Sequence, residues 1–406
     1  MQNIYTVILA GGRGERLLPL TQHRAKPAVP FAGKYRIIDV TLSNCLNSGL
    51  RKIAVLIQYK SHSLDRHIRR GWSIFNPELN EFIFSIPPQQ RISTEWYRGT
   101  ADAVYQNLFL LEQERPKFVL VLAGDHIYKM NYMDMFRYMQ VMKADAVVGA
   151  LEWPVEEARQ QFGVLGVDAS NRVTRFEEKP VNPFPLPNDP THTFISMGIY
   201  LFRTEELYDE LRKDAGMATA HDFGKNIIPN MIQDHKKVFA YNFEDANKKN
   251  VKYWRDVGTL DAYYEANMDL VAVDPLLNLY DEAWPIRTYQ GQFPPAKFVF
   301  ADQYPGGRVG LALDSIVSGG CIISGGRVEK SILSPNVRVD QHADVQESVI
   351  MENVEIGEGA RIRQAIIDKG VIIPPGTVIG YDLEVDRTRY TVTEDGIVVV
   401  TTASIH

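Results

Sequence analysis

The chain has 406 residues, 45% hydrophobic and 23% charged. That is ordinary globular composition at a length of two or three domains, so a hydrophobic core is expected and disorder is not the default. Lys+Arg 44 against Asp+Glu 50 gives a net charge of -6, which argues against a nucleic-acid-coating protein but leaves room for a local basic pocket that takes a phosphorylated small molecule. The two cysteines, Cys45 and Cys321, fit no metal-ligand spacing and suit a reducing compartment. No run approaches the ~18 apolar residues of a membrane span, and Met1–Gly12 lacks a signal peptide's basic start and cleavage site. A cytoplasmic protein with no membrane or nucleic-acid partner is expected.

In chain order, Ile4–Ala10 is a short apolar run that ends in Gly11-Gly12 and reads as a buried parallel strand. The runs 52–57, 118–123 and 146–150 have the same character. Helix-like stretches lie between them, among them 101–108, with Thr100 as its expected N-cap. The alternation predicts a layered α/β domain over 1–275, with ligands at the carboxyl ends of its strands. A Pro-containing linker over 276–300 follows, with Trp284 and Tyr289 packing it down.

From 301 to 406 the helical pattern fades. Segments beginning at Ser315, Ser331, Ser348 and Ala365 recur at intervals of 16, 17 and 17 residues. Val354, Ala360, Ile366, Ile372 and Val378 fall at six-residue steps. This predicts a parallel β-helix of about four coils, with one aliphatic side chain per strand inside the prism. An antiparallel sandwich is the alternative, but hairpin dipeptides are nearly absent between the coils.

The strongest local motif is Leu9–Leu17, where Gly11, Gly12 and Gly14 stand with Arg13 and Arg16 directly after a strand. Glycines let backbone N–H groups approach phosphate, and arginine neutralises it. The spacing is neither that of a Walker loop nor that of a dinucleotide fingerprint. A second cationic pair follows at Arg24 and Lys26. Asp125 stands just past the strand 118–123, where a metal-binding carboxylate belongs, although a turn aspartate fits the same place. Asp256 lies next to Arg255, with which it could simply pair.

The glycine loop, the Arg24–Val29 segment and the motifs at 33–39, 42–49, 96–103, 124–128, 178–180, 196–200 and 253–259 come in the order found in sugar-nucleotide pyrophosphorylases. As a set they resemble the bacterial glucose-1-phosphate adenylyltransferase family over nearly the whole chain. The resemblance implies a Rossmann-like nucleotidyltransferase domain followed by a left-handed β-helix. It also implies that ATP and α-D-glucose 1-phosphate yield ADP-glucose and pyrophosphate in glycogen or α-glucan synthesis. Arg16 and Lys26 would neutralise phosphates, and Gly11, Gly12 and Gly14 would cradle the nucleotide. Asp125 would be catalytic and would share Mg²⁺ with Asp256. Lys179 would grip the sugar phosphate and Glu178 the sugar hydroxyls, with Tyr97, Gly163 and Ser196 completing the pocket. Gln89-Gln90-Arg91 falls where the family keeps base-proximal and regulatory residues. A homotetramer governed by phosphorylated effectors is implied as well.

Two positions depart from the enterobacterial members: His23 replaces an activator-site lysine and Pro30 replaces a histidine. Effector identity stays open, with Arg24, Arg36 and Arg361 or Arg363 as candidate anion-site residues. Three other readings also stay open: a nucleotidyltransferase of other base or sugar choice, a non-catalytic regulatory subunit, and a β-helix with acyltransferase activity. Arg16, Lys26 and Asp125 speak against the silent subunit, and the β-helix carries no histidine-bearing acceptor motif.

Overall fold

The computed structural model describes residues 3–89, 96–302 and 307–404. The four apolar runs form strands of one nine-stranded sheet. Ile4–Ala10 is flanked in parallel by Lys52–Ile57 and Phe118–Ala123, and Phe82–Ile86 extends the parallel half. On the other side the long strand His192–Arg203 runs antiparallel to both Phe118–Ala123 and Ala146–Pro154, so the sheet is mixed.

Strand periodicity explains why the runs are apolar throughout. Alternate residues face opposite sides, and both sides are covered. Ile8, Val55 and Leu122 enter one core, while Val7, Leu56 and Val121 enter the other. Each such side chain contributes roughly 1.5–3 kcal/mol by burial. Parallel register then fixes the site: Leu9 pairs with Ala123, and the Gly124 N–H donates to the Leu9 carbonyl at 3.1 Å. The glycine loop and Asp125 therefore leave the sheet side by side.

The helix expected over 101–108 is interrupted. It runs Thr100–Tyr105 and resumes at Leu108–Glu114. Its N-cap is Gly99 rather than Thr100. The reason is steric, because a Cβ on Gly99 would lie 2.3 Å from the carbonyl oxygens of Ala220 and His221. Thr100 Oγ1 instead donates to Asp222 at 2.9 Å and accepts from Phe223 N–H. Gly99→Ala must push this loop away, and overpacking of that kind costs about 1–3 kcal/mol. We expect thermal unfolding to fall by several degrees; an unchanged melt would mean that the 220–222 loop yields freely.

The last third is a parallel β-helix. Three sheets stack coil upon coil, with five parallel rungs on each face among the described residues, one more than the sequence suggested. Each corner uses a left-handed residue at a fixed place in the coil. One corner holds Lys330, Glu347 and Gln364, and a second holds Gly320, Asn336, Asn353 and Gly370. Glycine and asparagine, which tolerate that conformation best, fill the second corner, while the first uses longer polar residues. Serines tie successive coils, since Ser331 Oγ accepts from Ser348 N–H and Ser348 Oγ accepts from Ala365 N–H.

The six-residue expectation fails in the last coils. Residues inside the prism follow Val339, Val345, Ile350, Ile356, Ile362, Ile367, Ile373 and Ile379, with one five-residue step in each 17-residue coil. A strict period of six therefore drifts outward. Ile366 turns to the catalytic domain, while Ile372 and Val378 are 61% and 46% exposed.

The β-helix is packed down. Ile332, Val349, Ile366 and Val399 share one apolar core with Phe31, Ile37 and Tyr263 of the first domain. Arg24 makes a two-pronged ion pair with Asp368 across the same boundary, at 2.8 and 2.9 Å. The first β-helix strand, Lys297–Val299, begins within the stretch expected to be linker.

Candidate active site

Gly12, Gly14, Arg16, Lys26 and Asp125 line one cleft of about 550 Å³ at the carboxyl ends of the parallel strands. Gly14 has φ +65, and a Cβ there would crowd Thr21 and Lys26 at 3.1 Å. This is why the loop can turn back over Lys26. Gly11 sits one layer deeper against Gln58.

Lys26 is the centre of charge. Its side chain is 10% exposed, and its Nζ lies 2.8 Å from Asp125 Oδ2 and 3.1 Å from Asp256 Oδ1. Burial lowers the ammonium pKa, but the two carboxylates more than reverse this and leave it raised. Burial likewise pushes the Asp125 carboxyl up, yet Lys26 and then His126 outweigh it and hold its pKa at about 2. Asp125 is therefore an ion-paired group rather than a mere turn aspartate. Asp256 does not pair with Arg255, whose guanidinium turns to Asp269 at 3.1 Å.

Asp256 reaches the site on a two-stranded ribbon, Trp254–Asp256 against His126–Tyr128, with Asp256 opposite His126. His126 Nε2 is 3.6 Å from Asp125 and 4.0 Å from Asp256. Ligand atoms of Asp125, His126 and Asp256 all lie within 4.8 Å of one another. His126 Nδ1 is buried without a hydrogen-bond partner among the described residues. The two carboxylates suit a divalent cation that prefers oxygen, and the imidazole stands beside them as a further candidate ligand.

Of the residues expected to hold sugar, Gly163, Glu178 and Ser196 are strand neighbours and Lys179 follows directly, whereas the contacts of Tyr97 lie elsewhere. Gly163 faces Glu178 across a strand pair, and a Cβ on it would lie 2.8 Å from Glu178 Oε2. Burial and then Asp222 push the Glu178 carboxyl up. Ser196 opens a bulge in the long strand, and the N–H of Gly198, at φ +66, donates to its Oγ. A Cβ on Gly198 would lie 3.5 Å from the His126 ring, so the bulge touches the carboxylate centre. Lys179 is exposed and left-handed at φ +52, and its N–H donates to Phe162. Phe162 in turn packs on Trp254, and Trp254 on His126. Tyr97 packs against the inner core while its hydroxyl accepts from Asn107 at 2.9 Å. The Gln89 amide donates to the Pro87 carbonyl, whereas Gln90 and Arg91 lie outside the described residues.

Sequence reasoning missed His126, Gly258 and Asp222. The first two sit inside motifs already recognised. Gly258 leaves room for the Arg16 guanidinium, which a Cβ there would meet at 3.0 Å. Asp222 gave no sequence signal, because only the fold carries it to Glu178.

A second cavity, of about 830 Å³, lies between the two domains. Lys34, Arg36, Arg66, Arg70 and Lys369 line it. Of the other arginines considered for an anion site, Arg24 is held by Asp368, Arg361 lies over the Tyr381 ring at 4.3 Å, and Arg363 is 3.7 Å from Glu347. None of these three lines the cavity, nor does exposed His23, whereas Pro30 does.

Residues 5–272 match the nucleotidyl transferase family, and residues 294–400 match the GlmU-like C-terminal hexapeptide family. The hexapeptide match agrees with the stacked parallel sheets, and together they give a left-handed β-helix. The chain is 57% identical to the glucose-1-phosphate adenylyltransferase of Rhodopirellula baltica, over 98% of this chain and 90% of that protein. It is 56% identical to that of Koribacter versatilis, over 97% and 94% of the two chains. For that of Methylococcus capsulatus the identity is 55%, over 97% and 92%. No helix among the described residues is long and apolar enough to cross a membrane. With a buried lysine in a glycine-lined cleft paired to two carboxylates, and with whole-chain identity above one half, the chain belongs to the glucose-1-phosphate adenylyltransferase family of nucleotidyl transferases.

Proposed function

We propose that this enzyme joins ATP and α-D-glucose 1-phosphate into ADP-glucose, releasing pyrophosphate, and so activates glucose for glycogen or α-glucan synthesis. A phosphate oxygen of the sugar attacks the α-phosphorus of ATP. The bond to the bridging α–β oxygen breaks, and pyrophosphate leaves. Such a transfer needs alignment and charge neutralisation more than covalent help from the protein.

The observation that carries this reading is Lys26 spanning Asp125 and Asp256 under the glycine loop. Gly11, Gly12 and Gly14 present backbone to the triphosphate. Arg16 and Lys26 offset its charge, and the Arg16 side chain is exposed to the cleft. Asp125 and Asp256 would hold Mg²⁺, which supplies charge neutralisation at the phosphates when bound. Glu178 and Ser196 hold sugar hydroxyls, Gly163 leaves the space, Tyr97 covers a sugar face, and Lys179 meets the sugar phosphate.

Pyrophosphate release with glucose 1-phosphate, compared across ATP, dTTP and UTP, tests the reading. Release with ATP alone is expected. Preference for another nucleotide would reassign the base specificity, and no release with any would indicate a non-catalytic subunit.

The cationic cavity between the domains supports binding of a phosphorylated small-molecule effector. Exposed Phe298, Leu313, Ile372 and Val378 on the outer faces of the β-helix support self-association, which we read as a homotetramer. Sedimentation of the purified chain tests this: a monomer at micromolar concentration would remove it.

A further inference from the structure

The cavity between the domains carries, among the described residues, five cationic side chains, Lys34, Arg36, Arg66, Arg70 and Lys369, and a single carboxylate, Glu352. Among the described residues no carboxylate lies within ion-pair distance of Arg66 or Arg70. The one carboxylate is committed, because Glu352 Oε2 lies 2.7 Å from Lys369 Nζ. Both side chains are partly enclosed, 34% and 26% exposed.

The coil geometry makes this contact. Glu352 precedes left-handed Asn353 and Lys369 precedes left-handed Gly370, so both stand at the same corner on adjacent rungs, 17 residues apart. That corner faces Arg36 of the catalytic domain. Burial and then repulsion from Arg36 depress the Lys369 pKa, and Glu352 opposes them. Burial also lowers the Arg36 pKa, against which Asp39 and Glu352 act in the opposite sense. Glu352 therefore serves as counter-charge to cations of both domains. A phosphate group entering the cavity needs the same cations, and meets a like charge already seated among them.

We propose that Glu352 is a built-in counter-anion of this cavity, and that a phosphate-bearing effector binds by exchange, its oxygens replacing the Glu352 carboxylate on Lys369. This rests on the reading of the cavity as an effector site. It adds that the empty site is internally neutralised at Lys369, so that the affinity for an effector is set partly by the strength of the pair it must break. Loss of the carboxylate's charge should then tighten anion binding, the reverse of what removing a ligand-contacting residue does.

The test is calorimetric titration of the full-length protein with fructose 1,6-bisphosphate and with inorganic phosphate. Saturating ADP-glucose keeps the active site filled throughout. Glu352→Gln preserves size and leaves an amide oxygen for Lys369. It should tighten binding of the bisphosphate by roughly ten- to hundredfold, the scale of one like charge removed at short range in a partly screened site. The gain should vanish when Glu352→Gln is placed on Lys369→Ala, because the exchange takes place on that ammonium. Equal or weaker binding by Glu352→Gln beside measurable wild-type binding would overturn the counter-anion while leaving the effector site in place. A gain that survives Lys369→Ala would overturn the exchange on Lys369. Absence of binding by either protein with either probe would remove the effector-site reading itself, and the proposal with it.

Discussion

Asp125→Asn should lower kcat by about a thousandfold or more while the Michaelis constants move far less. The substitution keeps shape and removes charge at the point where Lys26, His126 and Asp256 converge. In the proposed mechanism Asp125 would act on the charge that builds as pyrophosphate departs. An interaction stronger in the transition state than in the ground state appears in kcat. Loss of one preorganised electrostatic group costs about 10²–10³ in comparable sites, and loss of a metal-holding carboxylate adds to that. Near-normal turnover at saturating Mg²⁺ would remove Asp125 from the mechanism.

The same substitution has a stability signature with a definite sign. The Asp125 pKa is held at about 2 in the folded chain, below the ordinary aspartate value of about 3.9. A depressed carboxylate contributes stability that is fully present above the unfolded value and lost as pH falls through the folded one. The wild type should therefore be more stable than Asp125→Asn at pH 6, and the difference should shrink between about pH 4 and 2. Urea unfolding of both proteins at pH 6, 4 and 2.5 measures it. A difference that stays constant over this range would mean that the Lys26 pair contributes nothing to folding.

Much of this arrangement was legible in the sequence because burial on both faces writes itself as unbroken apolar runs. Ile4–Ala10 and Phe118–Ala123 could be read in that way, and with them the strand ends that carry Gly11 and Asp125. What failed had physical causes outside any local window. Thr100 has the right chemistry for a cap, but the approach of the 220–222 loop forces glycine into that place and turns the threonine to Asp222. Six-residue spacing is real within a coil, yet one shortened corner per turn moves Ile372 and Val378 to the surface. The sequence suggests Lys26 as a phosphate ligand but not its bridging of two carboxylates, because the partners lie 99 and 230 residues away. Glu352 gave no signal at all: a glutamate in a polar corner is unremarkable until the 17-residue rung sets it against Lys369 and Arg36.

Lys179→Ala should raise the Michaelis constant for glucose 1-phosphate by roughly thirty- to a thousandfold and leave that for ATP nearly unchanged. A charge-assisted contact to phosphate has about that worth in affinity. The backbone holds Lys179 beside residues proposed for the sugar side. Lys179 adopts φ +52, a conformation that costs a non-glycine residue about 1 kcal/mol or more. It is kept there by its N–H to the Phe162 carbonyl and by the Gln160 N–H to the Pro180 carbonyl, at 3.0 Å each. The turn thus places an exposed ammonium directly after Glu178, whose own carboxyl lies against Gly163. Lys179→Gly separates side chain from backbone, since glycine adopts this conformation without strain. If the ammonium is what matters, glycine and alanine should raise the constant equally while the glycine variant melts higher. If the turn geometry matters instead, glycine should stay close to the wild type. A shift in the ATP constant in place of the sugar-phosphate constant would put Lys179 on the nucleotide side of the cleft.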